Sequence, residues 1–243
     1  MRSTKKPIIA GGPEKPDEAR RVPARLKPFV ILGVAFAALL ALGTAPTRAA
    51  ENNAQALIQR LRSGGYVLVM RHAQSPNRLP GVSEADADNP RHERQLDATG
   101  RASAQALGAA LHGLRIPIGK VYSSPLYRAR ESVRLADLPQ PQIVDELAEG
   151  KKGMASTARR QQNLWLRRAV AELPQAGTDT LIVTHTPNIV GAFGQAAAAI
   201  QAGEMLVFEP QANQAHLLGT ISIAQWQAAQ QASAAAQHQG RSR

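Results

Sequence analysis

The sequence has no cysteine, and aromatic residues occupy only 4% of its 243 positions. The first absence excludes disulfides, zinc–thiolate sites and a thiol nucleophile. The second, with no basic face interleaved by aromatics, argues against nucleic acid as a partner despite a formal net charge of +11. That charge is also unevenly spread. Nine of the 29 basic and three of the 18 acidic residues lie in 1–49, so the remainder carries 20 against 15. Long hydrophobic runs are scarce as well. The longest, Phe29–Leu42, falls short of the roughly 20 residues that span a bilayer.

What is present divides into three parts. Residues 1–50 pair a basic, proline-broken start with that short apolar run and a small-residue exit, Gly43-Thr44-Ala45-Pro46-Thr47-Arg48-Ala49-Ala50. This is the pattern of a secretory signal, with cleavage expected near Ala49 or Ala50 and a periplasmic or secreted product. The alternative is an uncleaved inner-membrane anchor over 29–45. Arg20-Arg21 hints at twin-arginine export, but Val22-Pro23-Ala24 matches it poorly, and the route stays open. Residues 51–226 form the expected folded domain. The Ala/Gln-rich tail 227–243 is expected to be disordered or a frayed helix.

Within the domain, Tyr66–Met70 is a run of five apolar residues after Gly64-Gly65, the mark of a strand buried on both faces. Arg71-His72 stands at its carboxyl end. Thr180–Thr184 is a second such strand, and His185 stands at its end. Helical spacing predicts helices over 53–62, 99–114 and 155–173, with others opening at Ser124-Pro125 and Thr186-Pro187, the latter running to about Ile200. Further strands are expected over 116–122 and 142–144, with a hairpin-like pair over 205–208 and 216–223. Residues 73–98 read as a long surface loop. The pattern implies an α/β three-layer sandwich, a mostly parallel central sheet with helices on both faces.

In such sheets ligands sit at the carboxyl ends of the strands. Arg71, His72, Arg128 and His185 all fall there. Two histidines and two arginines without metal-ligand spacing suit a phosphate monoester. Arginine offers a permanently charged fork of donors for phosphate oxygens, and a histidine nitrogen can attack phosphorus covalently. The helix after His185 adds backbone N–H donors for an anion. The expectation is that no metal and no cofactor take part.

The segments Val69-Met70-Arg71-His72-Ala73, Leu96–Ala102, Ser123-Ser124-Pro125-Leu126-Tyr127-Arg128-Ala129 and Ile182–Asn188 resemble, in order, the motifs of the histidine phosphatase superfamily (phosphoglycerate-mutase-like). The resemblance implies His72 as nucleophile, Arg71, Arg128 and His185 on the phosphoryl group, and a glutamate acid at Leu147-Ala148-Glu149, with Glu146 its rival. Departures are Ala73 and Gln74 where glycine and glutamate are usual, and Arg78 where mutases carry asparagine. The short span from Arg128 to His185 implies a compact member without the mutases' lid. An uncovered pocket favours hydrolysis and admits a bulky phosphorylated sugar, lipopolysaccharide or protein.

Three other readings compete. A metal-dependent phosphoesterase needs acidic neighbours that His185-Thr186-Pro187-Asn188 lacks. A non-catalytic phosphate- or glycan-binding module would keep the pocket without turnover. A mutase is disfavoured by the leader and the missing lid. Among single residues, His92 in the long loop is a candidate to reach the pocket. His112, His216, Arg130, Arg134, Arg167 and Arg168 read as surface or structural.

Overall fold

The computed structural model describes residues 48–150 and 153–241. Apart from the first turn of α1 (Arg48–Leu61), the leader expected over 1–50 lies outside the described residues, as does the anchor alternative over 29–45. Among the described residues no helix is long and apolar enough to cross a membrane.

Six strands form one sheet. They are β1 (Val67–Arg71), β2 (Ile118–Ser123), β3 (Gln142–Ile143), β4 (Asp179–Thr184), β5 (Met205–Gln211) and β6 (Gln214–Ile221). Their spatial order is β3-β2-β4-β1-β5-β6. The pairs β3–β2, β2–β4 and β4–β1 are parallel, whereas β5 runs antiparallel to β1 and β6. The expected three-layer α/β sandwich is therefore present, with the hairpin closing one side.

Two-residue alternation along the strands builds the two cores. Leu68, Met70, Leu181 and Val183 face one cluster, with helices α1, α2 (Ala98–Gly113), α3 (Tyr127–Leu135) and α6 (Ile223–Arg241) over it. Val67, Val69 and Ile182 face the other, under α4 (Ser156–Ala169) and α5 (Thr186–Phe193). Strands buried on both sides read as near-continuous apolar runs, and Val67–Met70 in β1 and Leu181–Val183 in β4 are legible for that reason.

Several boundaries differ from expectation, each for a physical reason. Helix α5 stops at Phe193 because Gly194 takes a φ of +85°, which ends the helical ladder well before Ile200. Of the two readings of the carboxyl-terminal tail, the described residues take the helical one. Residues 223–241 are helical, anchored by the fully buried Trp226 and by Gln230, whose amide donates to Ala109 O at 2.9 Å. Helix α3 begins at Tyr127 rather than at Pro125, and no side chain of its own caps it. A carboxylate from the long loop does so instead: Tyr127 N–H donates to Glu93 at 2.7 Å.

Candidate active site

The parallel strands β1, β4 and β2 end side by side, and their register sets what meets above them. Arg71 pairs with Thr184, and Ser123 pairs with Val183. The ladder runs one step past each strand, with His72 N–H donating to Thr184 O and Ser124 N–H to Val183 O, both at 3.0 Å. His72, His185 and Ser124 are thereby brought to one edge, and α3 leads away from it carrying Arg128. The rings of His72 and His185 lie 5.1 Å apart, centroid to centroid.

The turn after β1 is held from both sides. His72 Nδ1 lies 2.7 Å from Ala73 O and donates to it. Ala73 N–H donates to Ser132 Oγ at 3.0 Å, and Ser132 in turn donates to Arg128 O at 2.7 Å. The Ala73 methyl packs with Leu96 and Ala104, and residue 73 is not among those at positive φ. Alanine is accommodated here without strain. Helix α2 opens against the same turn, so closely that a Cβ at Gly100 would sit 2.0 Å from Gln74 O.

Arg128 joins the site residues. Its Nε–H donates to His72 Nε2 at 3.1 Å, its Nη2 donates to His185 Nδ1 at 3.0 Å, and Nη2 also pairs with the Glu149 carboxylate. A guanidinium only donates, so both histidine nitrogens facing it carry lone pairs. The tautomers follow: His72 is protonated on Nδ1, and His185 on Nε2, which donates to Ser124 Oγ at 2.8 Å. Leu126 N–H also donates to that hydroxyl, at 3.2 Å.

Burial sets the electrostatics. His72, Arg128 and His185 are 5%, 3% and 1% exposed. Desolvation pushes the His72 imidazole down to about 3, with Arg128, Arg71 and Arg94 adding to the effect and the Ala73 carbonyl opposing it. His185 is driven well below its ordinary value, first by burial and then by Arg128 and His72. Both imidazoles are neutral at any ordinary pH, and His72 Nε2 keeps its lone pair. Burial also lowers Arg128, against the opposing charge of Glu149.

The remaining residues expected from sequence fall as follows. Arg71 points its Nη1 at Ile200 O, 3.0 Å away, while its Nε is buried with no partner among the described residues. Glu149 reaches Arg128 and keeps its side chain 35% exposed, whereas Glu146 meets the site only through its backbone carbonyl. Among the described residues no hydrogen bond or ion pair joins His92 to the cluster, its backbone N–H going to Asn89 O, and Arg78 is exposed and paired with Glu84 at 2.7 Å.

Two contributors had no signal in the sequence. Arg94 reaches the site from the long loop, fixed by bonds from Nε to Pro76 O at 2.8 Å and from Nη2 to Ser75 O at 3.2 Å. Its charge acts on His72, Arg128 and His185 alike. Ser124 reads from sequence as a helix cap, yet its hydroxyl also fixes the tautomer of His185. Among the described residues no three His, Asp or Glu side chains are grouped to hold a metal.

A family model described as the histidine phosphatase superfamily (branch 1) matches residues 67–169, a stretch with His72, Arg128 and Glu149 but not His185. No curated protein sequence matches the chain. Solved structures similar to it include the protein histidine phosphatase SixA complexed with tungstate, at 16% identity and a TM-score of 0.46, covering 65% of this chain and 97% of that one. Another is phosphoserine phosphatase from Entamoeba histolytica in complex with 3-phosphoglyceric acid, at 13% identity and a TM-score of 0.46, covering 66% and 98%.

Proposed function

We propose that the chain, matched over residues 67–169 by the histidine phosphatase superfamily model, is a member of that superfamily and a metal-independent phosphomonoesterase working through a phosphohistidine on His72. The observation that carries this reading is the pair of buried, neutral imidazoles 5.1 Å apart, bridged by one guanidinium. A neutral Nε2 held in place by an Nδ1–H···O=C bond is a competent nucleophile for phosphorus.

Phosphoryl transfer asks mainly for positioning and for charge stabilisation. Arg71, Arg94 and Arg128 supply cationic donors, and the unpartnered Nε of Arg71 is a donor that a phosphoryl oxygen would satisfy. As the oxyanion enters, the Nε–H of Arg128 passes from His72 Nε2 to a phosphoryl oxygen and frees the lone pair. Glu149 takes the proton of the entering phosphate monoanion; His72 Nε2 then attacks phosphorus, the bond to the leaving oxygen breaks, and that oxygen takes this proton from Glu149. Water attacks the phosphohistidine, the P–N bond breaks, and the water's proton returns to Glu149 as phosphate leaves. The Nε2–H of His185, which rests on Ser124 Oγ, passes to a phosphoryl oxygen and binds the group throughout.

The donor set also supports metal independence, since three arginines around the imidazoles repel a cation where a metal-assisted enzyme would need carboxylates. The partly exposed Glu149 leaves the acid within reach of water, which favours hydrolysis over transfer to a second substrate. It also fits a phosphate borne on something bulky. We place the enzyme outside the cytoplasm on the strength of the leader alone, and amino-terminal sequencing of the processed protein should begin near residue 50.

The test is hydrolysis of an aryl phosphate with and without chelator. Activity that survives chelator and vanishes in His72→Ala is the expected result. Loss of activity on chelation would overturn the metal-free mechanism. Phosphate binding retained without turnover would favour the non-catalytic reading.

A further inference from the structure

Asn188 lies in the first turn of α5, three residues beyond His185, and is 4% exposed. Its Nδ2 donates to two backbone carbonyls, Glu146 O at 3.2 Å and Ala148 O at 3.0 Å. Those carbonyls bracket Leu147 in the 3₁₀ turn Asp145–Leu147, directly before Glu149. The carbonyl between them is held as well, because Thr184 Oγ1 donates to Leu147 O at 2.9 Å. From α4, Gln162 Nε2 donates to Ala148 O at 2.9 Å. Three consecutive carbonyls are thus gripped by side chains from β4, α5 and α4, and the next residue carries the carboxylate that meets Arg128.

Asn188 does the part of this that links the two halves of the site. Its backbone N–H donates to His185 O at 3.1 Å, so one residue is fastened to the second histidine and to the acid-bearing turn. Only its donors are used, since Oδ1 is buried without a partner among the described residues. Aspartate has the same shape but no N–H to give.

We propose that Asn188 is a positioning residue for the general acid: its amide sets the 146–148 turn so that Glu149 stands over the leaving oxygen. The inference rests on the assignment of Glu149 as the acid. A misplaced acid costs most where the leaving group needs a proton. General acid catalysis contributes about 10²–10⁴-fold to such steps, and little when the leaving group departs as a stable anion.

The experiment compares kcat for an alkyl phosphate, a poor leaving group, with kcat for 4-nitrophenyl phosphate in wild type, Glu149→Gln, Asn188→Asp and Asn188→Leu. Glu149→Gln should lower the alkyl-to-nitrophenyl ratio of kcat by about 10²-fold. Both Asn188 variants should lower it by about tenfold or more, with KM shifted less than kcat. Asn188→Leu avoids a buried charge and reports the effect if Asn188→Asp does not fold. Asn188→Ser, which keeps one donor, should recover part of the ratio. If Glu149→Gln changes the ratio and neither Asn188 variant does, the positioning role is wrong and the acid assignment stands. If no variant changes it while His72→Ala abolishes both activities, the acid assignment fails and the inference with it.

Discussion

The two ends of the sheet bury ionisable groups on opposite terms. At the carboxyl end, His72, His185 and Arg128 satisfy one another, and Glu149 offsets part of the charge. At the amino end, Asp179 opens β4 fully buried, with only the Tyr66 N–H on Oδ1 at 2.8 Å and no partner for Oδ2 among the described residues. Burial pushes that carboxyl up to about 7, against the Tyr66 bond. A buried group with several partners can be used for chemistry, whereas one with a single partner is chiefly a cost.

The two ends therefore respond to pH with opposite signs. His72 titrates near 6.5 in the unfolded chain and about 3 in the folded one. The unfolded state thus binds the extra proton between those values, and stability falls as pH drops from about 6.5 toward 3. Asp179 titrates at 3.8 unfolded and about 7 folded. There the folded state holds the extra proton, and stability falls as pH rises from 3.8 to about 7.

Substitutions at the two ends separate these roles. Short of removing the nucleophile, Arg128→Ala should have the largest effect on activity, lowering kcat/KM by at least about 10²–10³-fold, because it removes donors to both imidazoles and the phosphoryl group. Steady-state kinetics on an aryl phosphate checks this, and a loss below tenfold would remove Arg128 from the site. Arg94→Ala should cost less, about tenfold in kcat/KM, since it takes away one cation held on the loop. An unchanged kcat/KM would make Arg94 a loop anchor only. At the other end, Asp179→Asn should leave kinetics alone and raise stability by about 1–3 kcal/mol at pH 8, with little gain at pH 4. Denaturant unfolding at the two pH values checks it, and an equal gain at both would contradict the buried-carboxylate account.

The same division explains what could be read from sequence. β1 and β4 announce themselves by the apolar runs Val67–Met70 and Leu181–Val183 that burial on both faces demands, and the residues that follow them carry the histidines. Glu149 comes from the resemblance of Leu147-Ala148-Glu149 to the family's Leu-x-Glu segment, which leaves Glu146 as its rival. Tertiary choices were hidden. Nothing local distinguishes Arg94 from a solvated arginine, because Pro76 O and Ser75 O come from across its loop. Ser124 has the residue type of a helix cap, yet Glu93, 34 positions back, caps α3 at Tyr127 while Ser124 also steadies His185. Asn188 looks like an ordinary first-turn residue until Glu146 and Ala148 fold back over it. Composition leaves disorder and a frayed helix open for the tail, and one buried tryptophan at its start organises the described part as helix.

The most direct test of the central claim is to quench the enzyme during turnover of a phosphate monoester and locate the phosphoryl group by mass spectrometry. The account predicts an acid-labile, base-stable phosphoramidate on His72, absent from His72→Ala. Steady turnover with no protein-bound phosphate under rapid quench, or with the label on another residue, would contradict it.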